Sequence, residues 1–205
     1  MLRTLFQPLS IDRKIAWVTI VSTTVLILNS YQHITPSTEI NQTIFFFVAP
    51  LLFILLFFRE SPRDYGFTLG DWRAGLVLTL GGILVMTPII WLLARLDPAS
   101  QTYYQNMTAD LPWNTFGQIF AWEFLFRGFI TFAYVRKFGA NALWIQAVPF
   151  ALLHIGKPEI ETLSTIFGGF AFGWIAYRTK SFLYPFLIHW YIFTLIVLVA
   201  SGKLG

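Results

Sequence analysis

The chain has no cysteine among its 205 residues, and only 12% of them are charged. The first absence excludes disulfides, thiolate metal sites and a cysteine nucleophile together, and it leaves the redox compartment unmarked. The second, set against 56% hydrophobic and 19% aromatic residues, excludes a soluble domain of this size, which could not bury so much apolar surface. Imidazole is scarce as well, with His33, His154 and His189 the whole supply. No G-x-S-x-G elbow occurs to support a serine hydrolase, and no H-E-x-x-H sets two metal ligands on one helical turn. There is neither an internal repeat nor a low-complexity tract.

What remains is a series of apolar runs. A helix crosses the hydrocarbon with ~20 apolar residues, fewer where neighbouring helices enclose it. By that measure Ile15 to Tyr31, Thr43 to Phe58, Ala74 to Ala94, Phe116 to Val135, Ala142 to Ile155, Leu163 to Tyr177 and Phe182 to Ala200 read as helices. The expectation is an all-α, polytopic transmembrane bundle of about seven helices forming one integral membrane domain, 1–205. The fifth and sixth runs are short enough to be enclosed or re-entrant. Pro88 falls inside the third and should kink it. The longest polar connection, Arg95 to Asn114, is expected on the membrane surface.

The net charge of +4 and pI near 9.5 suggest no nucleic-acid partner, because the basic residues sit between the apolar runs. With the N-terminus inside, Arg3, Arg13, Lys14, Arg59, Arg63, Arg73, Arg136, Lys137, Arg178 and Lys180 gather on the inner side, against Arg95, Lys157 and Lys203 outside. That bias follows the positive-inside rule and predicts an outer C-terminus. The lipid bilayer is then an obligatory partner. Oligomeric state leaves no mark in the sequence.

Ionisable residues separate the chain into two parts. The first three runs hold almost none, whereas the region from 115 to 200 contains or borders Glu123, Arg127, His154, Glu159, Glu161 and His189. A carboxylate and a guanidinium at bilayer depth are costly, so Glu123 and Arg127 need a reason to be there. Their spacing of four puts them on one face of a helix, where they can meet as an ion pair, either as a brace or as part of a site. His154 ends the fifth run beside Gly156 and Pro158. His189 lies deep in FLYPFLIHWYIFTLI, where a neutral imidazole still requires a partner. Two histidines and a carboxylate suffice for general-base and oxyanion roles if their helices converge. They are also a possible ligand set for a divalent metal such as zinc, although no short spacing fixes two ligands on one helix.

The order Trp122-Glu123-Phe124-Leu125-Phe126-Arg127-Gly128, then Phe150-Ala151-Leu152-Leu153-His154, then His189, resembles the CPBP family of intramembrane proteases, also called the CAAX-protease or Abi family. Its members carry E-E-x-x-x-R, F-x-x-x-H and H-x-x-x-N/D on successive helices. The resemblance covers Phe116 to Phe193 and implies a four-helix core within 115–200, preceded by N-terminal helices and a surface loop within 1–114. It implies hydrolysis of a peptide bond in a membrane-associated protein or peptide, without a soluble cofactor, in a bacterial plasma membrane. The candidate catalytic residues it suggests are Glu123, Arg127, His154 and His189. Two positions depart from the pattern: Trp122 stands where the family has its first glutamate, and Phe193 where it has Asn or Asp. Glu161 or Glu159, in the first turn of the helix after His154, is the candidate replacement carboxylate. The rival expectations are a non-catalytic relative acting as a binding, immunity or scaffold protein, and a small transporter with Arg127, His154 and His189 as a polar path. Internal repeat halves, which would favour the transporter, are missing.

Overall fold

A computed structural model describes residues 7–204. The described chain is all-α. Helix α1 is Arg13–Tyr31, α2 is Thr38–Phe58, α3 is Trp72–Leu96 and the short α4 is Pro98–Tyr104. Helix α5 runs over 113–138, α6 is Ala142–Leu152, α7 is Glu159–Thr179 and α8 is Leu183–Ala200. Four of these, α1, α2, α3 and α8, are long and apolar enough to cross a membrane on their own. Helices α5 and α7 carry ionisable groups and α6 is only 11 residues long, so they depend on the others for shelter.

Local chemistry sets the helix ends. The Asp12 carboxylate accepts from the amides of Lys14 and Ile15 to start α1, Ser37 accepts from Ile40 to start α2, and Asp71 from Ala74 to start α3. Helix α3 runs as one helix through Pro88. The predicted fifth helix stops earlier than its apolar run, at Leu152. Gly156, with φ of +99°, and Pro158 turn the chain, so His154 sits in a tight turn rather than in the helix. The sixth begins earlier than its apolar run, because Glu159 and Glu161 occupy the first turn of α7, where carboxylates suit the positive end of the dipole.

Helix α5 is not uniform. It is α-helical over Trp113–Glu123, widens to a π-helix over Phe124–Ile130, and returns to α over Thr131–Phe138. Every residue of the widened section is buried. The Thr131 hydroxyl donates to the Phe126 carbonyl, which also accepts from the Thr131 amide in the wider turn. Helix α2 has two similar sections, Ile44–Val48 and Phe53–Phe58.

At one end of the bundle Glu60 collects Lys14 at 2.7 Å, the Tyr65 hydroxyl at 2.7 Å and Arg136 at 3.4 Å. The beginning of α1, the α2–α3 connection and the end of α5 are therefore at the same end, as alternating passage predicts. Arg3, also assigned to that side, lies outside the described residues. Partial burial pushes the Glu60 carboxyl up, but the hydrogen bonds from Lys14 and Tyr65 and the charges of Lys14 and Arg136 hold it below its ordinary value.

Small residues let α6 and α7 approach closely. A Cβ on Gly169 would lie 3.1 Å from the Ala147 backbone, and one on Gly173 would lie 2.7 Å from Gln146 Nε2. Gly168, in the same small-residue stretch, has nothing within 4 Å of its added Cβ and lines a cavity instead.

Candidate functional site

Glu123 ends the first section of α5 and Arg127 stands on the π-helical section. Arg127 Nη1 donates to Glu123 Oε1 at 3.1 Å, and both side chains are wholly buried. The guanidinium carbon lies 3.8 Å from the centroid of the Phe150 ring, and Nη2 donates to the Gly169 carbonyl at 3.4 Å. Gln146 Nε2 donates to that same carbonyl at 2.6 Å, so the close α6–α7 contact also holds an acceptor in place for Arg127.

The same Glu123 oxygen receives His189 from α8, with Nδ1 2.7 Å away. A carboxylate can only accept here, so Nδ1 carries the proton and Nε2 keeps its lone pair. His154 is fixed in the same manner by a different acceptor, its Nδ1 donating to the Phe150 carbonyl at 2.8 Å. Each imidazole is thus anchored through Nδ1 with Nε2 left over. Thr162 ties the His154 turn to α7 by donating to the His154 carbonyl at 2.8 Å.

Both histidines line one cavity of about 110 Å³, walled by α3, α6, α7 and α8. Glu161 lines it too. Its Oε1 accepts from Lys157 at 3.1 Å and its Oε2 from the Tyr104 hydroxyl at 2.6 Å. Tyr104 is the last residue of α4, so the predicted surface connection dips inward at this point. Burial first, and then the Glu161 charge, raise the Tyr104 hydroxyl well above its ordinary value, and it remains a donor. Glu159 instead lines an outer groove with Thr102 and Pro158. Among the described residues no three His, Asp or Glu side chains gather closely enough to hold a metal ion.

The two departures from the family pattern have structural consequences. The Trp122 ring meets His154 edge-on at 5.3 Å, and its indole N–H donates to Gln42 Oε1 at 2.7 Å. Phe193 stands across from it, and the Lys157 ammonium lies 5.6 Å from the Trp122 ring and 5.7 Å from the Phe193 ring. A cation thus lies near both aromatic rings that stand at the departing positions. From the sequence, Lys157 served only as an outer-side charge, and Tyr104 and Gln42 did not stand out. Lys157 and Glu161 at a spacing of four were a detectable signal, whereas nothing in the polar connection distinguished Tyr104. His33 lies exposed in the α1–α2 connection and takes no part.

From Tyr104 to Leu195, residues 104–195 match the family model described as Rce1-like, type II CAAX prenyl endopeptidase. That region, a little under half of the chain, is similar to the CAAX-protease family. The matched region includes Glu123, Arg127, His154, Glu161 and His189, and its first residue is the Tyr104 that holds Glu161. Helices α1 to α3 lie before the matched region. Comparison with curated proteins and with solved structures finds no match.

Proposed function

We propose that the protein is an intramembrane endopeptidase that hydrolyses a peptide bond in a membrane-associated protein or peptide, and that its membrane is a bacterial plasma membrane. The observation that carries this reading is the pair of imidazoles anchored through Nδ1, both lining one cavity with the Glu161 carboxylate. Such an arrangement suits activation of a water. His189 Nε2, its ring oriented by Glu123, takes one proton as the oxygen attacks the carbonyl carbon, while His154 Nε2 or Glu161 accepts the other O–H and aims the lone pair. The resulting imidazolium rests against Glu123, whose charge Arg127 otherwise balances. Its proton then passes to the leaving amine, so the cycle closes without a cofactor. Lys157 supplies positive charge for the oxyanion from the cavity wall, where low dielectric strengthens it.

The test is cleavage of a fluorogenic reporter fused to a membrane helix, with the full-length protein in nanodiscs. His189→Ala and His154→Ala should each lower turnover by about a hundredfold or more, the scale of a lost general base. Glu161→Gln should lower it less if it only orients the water. Equal turnover in wild type and both histidine variants would remove the proposed site. A wild type that binds the reporter without cutting it would restore the non-catalytic expectation.

A further inference from the structure

A second cavity, of about 440 Å³, lies on the outer side of Trp122 and Phe193. It is bounded by the end of α1, the start of α2, the turn Met107–Asp110, the first turns of α5 and the His154–Lys157 turn, and its size is that of a ligand site. It shares Lys157 and Phe193 with the inner cavity, so whatever occupies it lies next to the histidines.

Two observations point to its occupant. The first is Gln42, 7% exposed in the cavity wall. Its Oε1 accepts from both Trp122 Nε1 at 2.7 Å and Gln118 Nε2 at 2.8 Å. An indole N–H can only donate, so the amide orientation is fixed, and its NH2 group has no partner among the described residues. The side chain is thus largely buried and fixed at its oxygen, while its NH2 group keeps access to the cavity it lines and lacks a protein acceptor. The second is charge. Glu39 and Asp110 are half-buried in the wall with no basic partner among the described residues, while the one cation there, Lys157, is already paired to Glu161.

We propose that this vestibule binds a basic stretch of polypeptide beside the bond to be cut, with Gln42 donating to a main-chain carbonyl and Glu39 and Asp110 facing Lys or Arg side chains. The inference rests on the proposed peptidase reading for its purpose, but not for its chemistry. An extended peptide brings carbonyl acceptors and cationic side chains together, which a lone metal ion does not. Trp122 then has a role that a glutamate at its position would not fill: its indole sets the direction of Gln42.

The experiment measures binding of short, capped peptides of equal length to the full-length protein in nanodiscs, with Lys/Ala, Ser/Ala or Glu/Ala alternating. The Lys/Ala peptide should bind about tenfold more tightly than Ser/Ala at low salt, and the gap should narrow as salt rises. Glu39→Gln with Asp110→Asn should bring the two peptides level. Gln42→Ala should weaken both by a similar factor, on the order of fivefold for one hydrogen bond. Equal binding of all three peptides to wild type would overturn the proposal. So would spermidine binding as tightly as the Lys peptide and unaffected by Gln42→Ala. Charge-selective binding with no cleavage of any reporter would uphold the vestibule and end the peptidase reading, whereas cleavage indifferent to flanking charge would do the reverse.

Discussion

Changing Glu123 to glutamine is the sharpest test of the buried cluster. Glutamine preserves the volume and leaves a carbonyl oxygen able to accept from His189 and Arg127, so the variant removes little except the negative charge. What remains is the Arg127 guanidinium, wholly buried, with Nε already without a partner and only the long 3.4 Å bond to Gly169 and the Phe150 face for compensation. Breaking a buried pair from one side costs roughly 3–5 kcal/mol. The lower figure applies here, because the aromatic face and the Gly169 carbonyl still stabilise the cation. A loss of about 3 kcal/mol is roughly a hundredfold or more in the folding equilibrium. The assay is reversible unfolding in mixed micelles against increasing denaturing detergent. Adding Arg127→Met, which removes the orphaned charge and leaves an apolar chain against Phe150 and Phe172, should recover much of the loss. If Glu123→Gln costs under about 1 kcal/mol and the second substitution brings no recovery, water reaches the pair and the burial argument fails.

Tyr104→Phe removes the 2.6 Å bond to Glu161 and should cost about 1.5–3 kcal/mol, as for a bond to a charged acceptor, with protease nicking near α4 rising in parallel. Gly169→Val should destabilise by about 1–3 kcal/mol through overpacking against Ala147, while Gly168→Ala, facing open space, should leave thermal unfolding unchanged. At the opposite end, Glu60 has a carboxyl below its ordinary value when folded. Its stabilising effect is thus complete above the unfolded carboxylate pKa and is lost as pH falls through the lower, folded one. Unfolding midpoints measured from neutral pH into the acid range should fall for wild type, and Glu60→Gln should flatten that part of the slope.

Much of the architecture was legible in the chain because lipid imposes a simple rule: backbone polar groups must be satisfied internally, so apolar runs become helices. The helix ends were less legible. His154 leaves its helix because Gly156 and Pro158 act on the backbone after an apolar run that hydropathy alone would extend to Ile155. The π-helical turn under Arg127 had no sequence mark, since FLFRGFI suits an α-helix equally well.

By itself the sequence determined composition, the seven apolar helices but not the short α4, and the inventory of groups able to do chemistry, including the pairing of Glu123 with Arg127 through their spacing. Only the tertiary structure decided which groups meet. It brought His189 to Glu123 from 66 residues away and Tyr104 to Glu161 from 57, and it separated Glu159 from the cavity that Glu161 lines. The physical reason is that local spacing fixes neighbours on one helix, whereas contacts between helices depend on how whole faces pack. Gly169 and Gly173 set that approach for α6 and α7, and the cavity is the space the packing leaves.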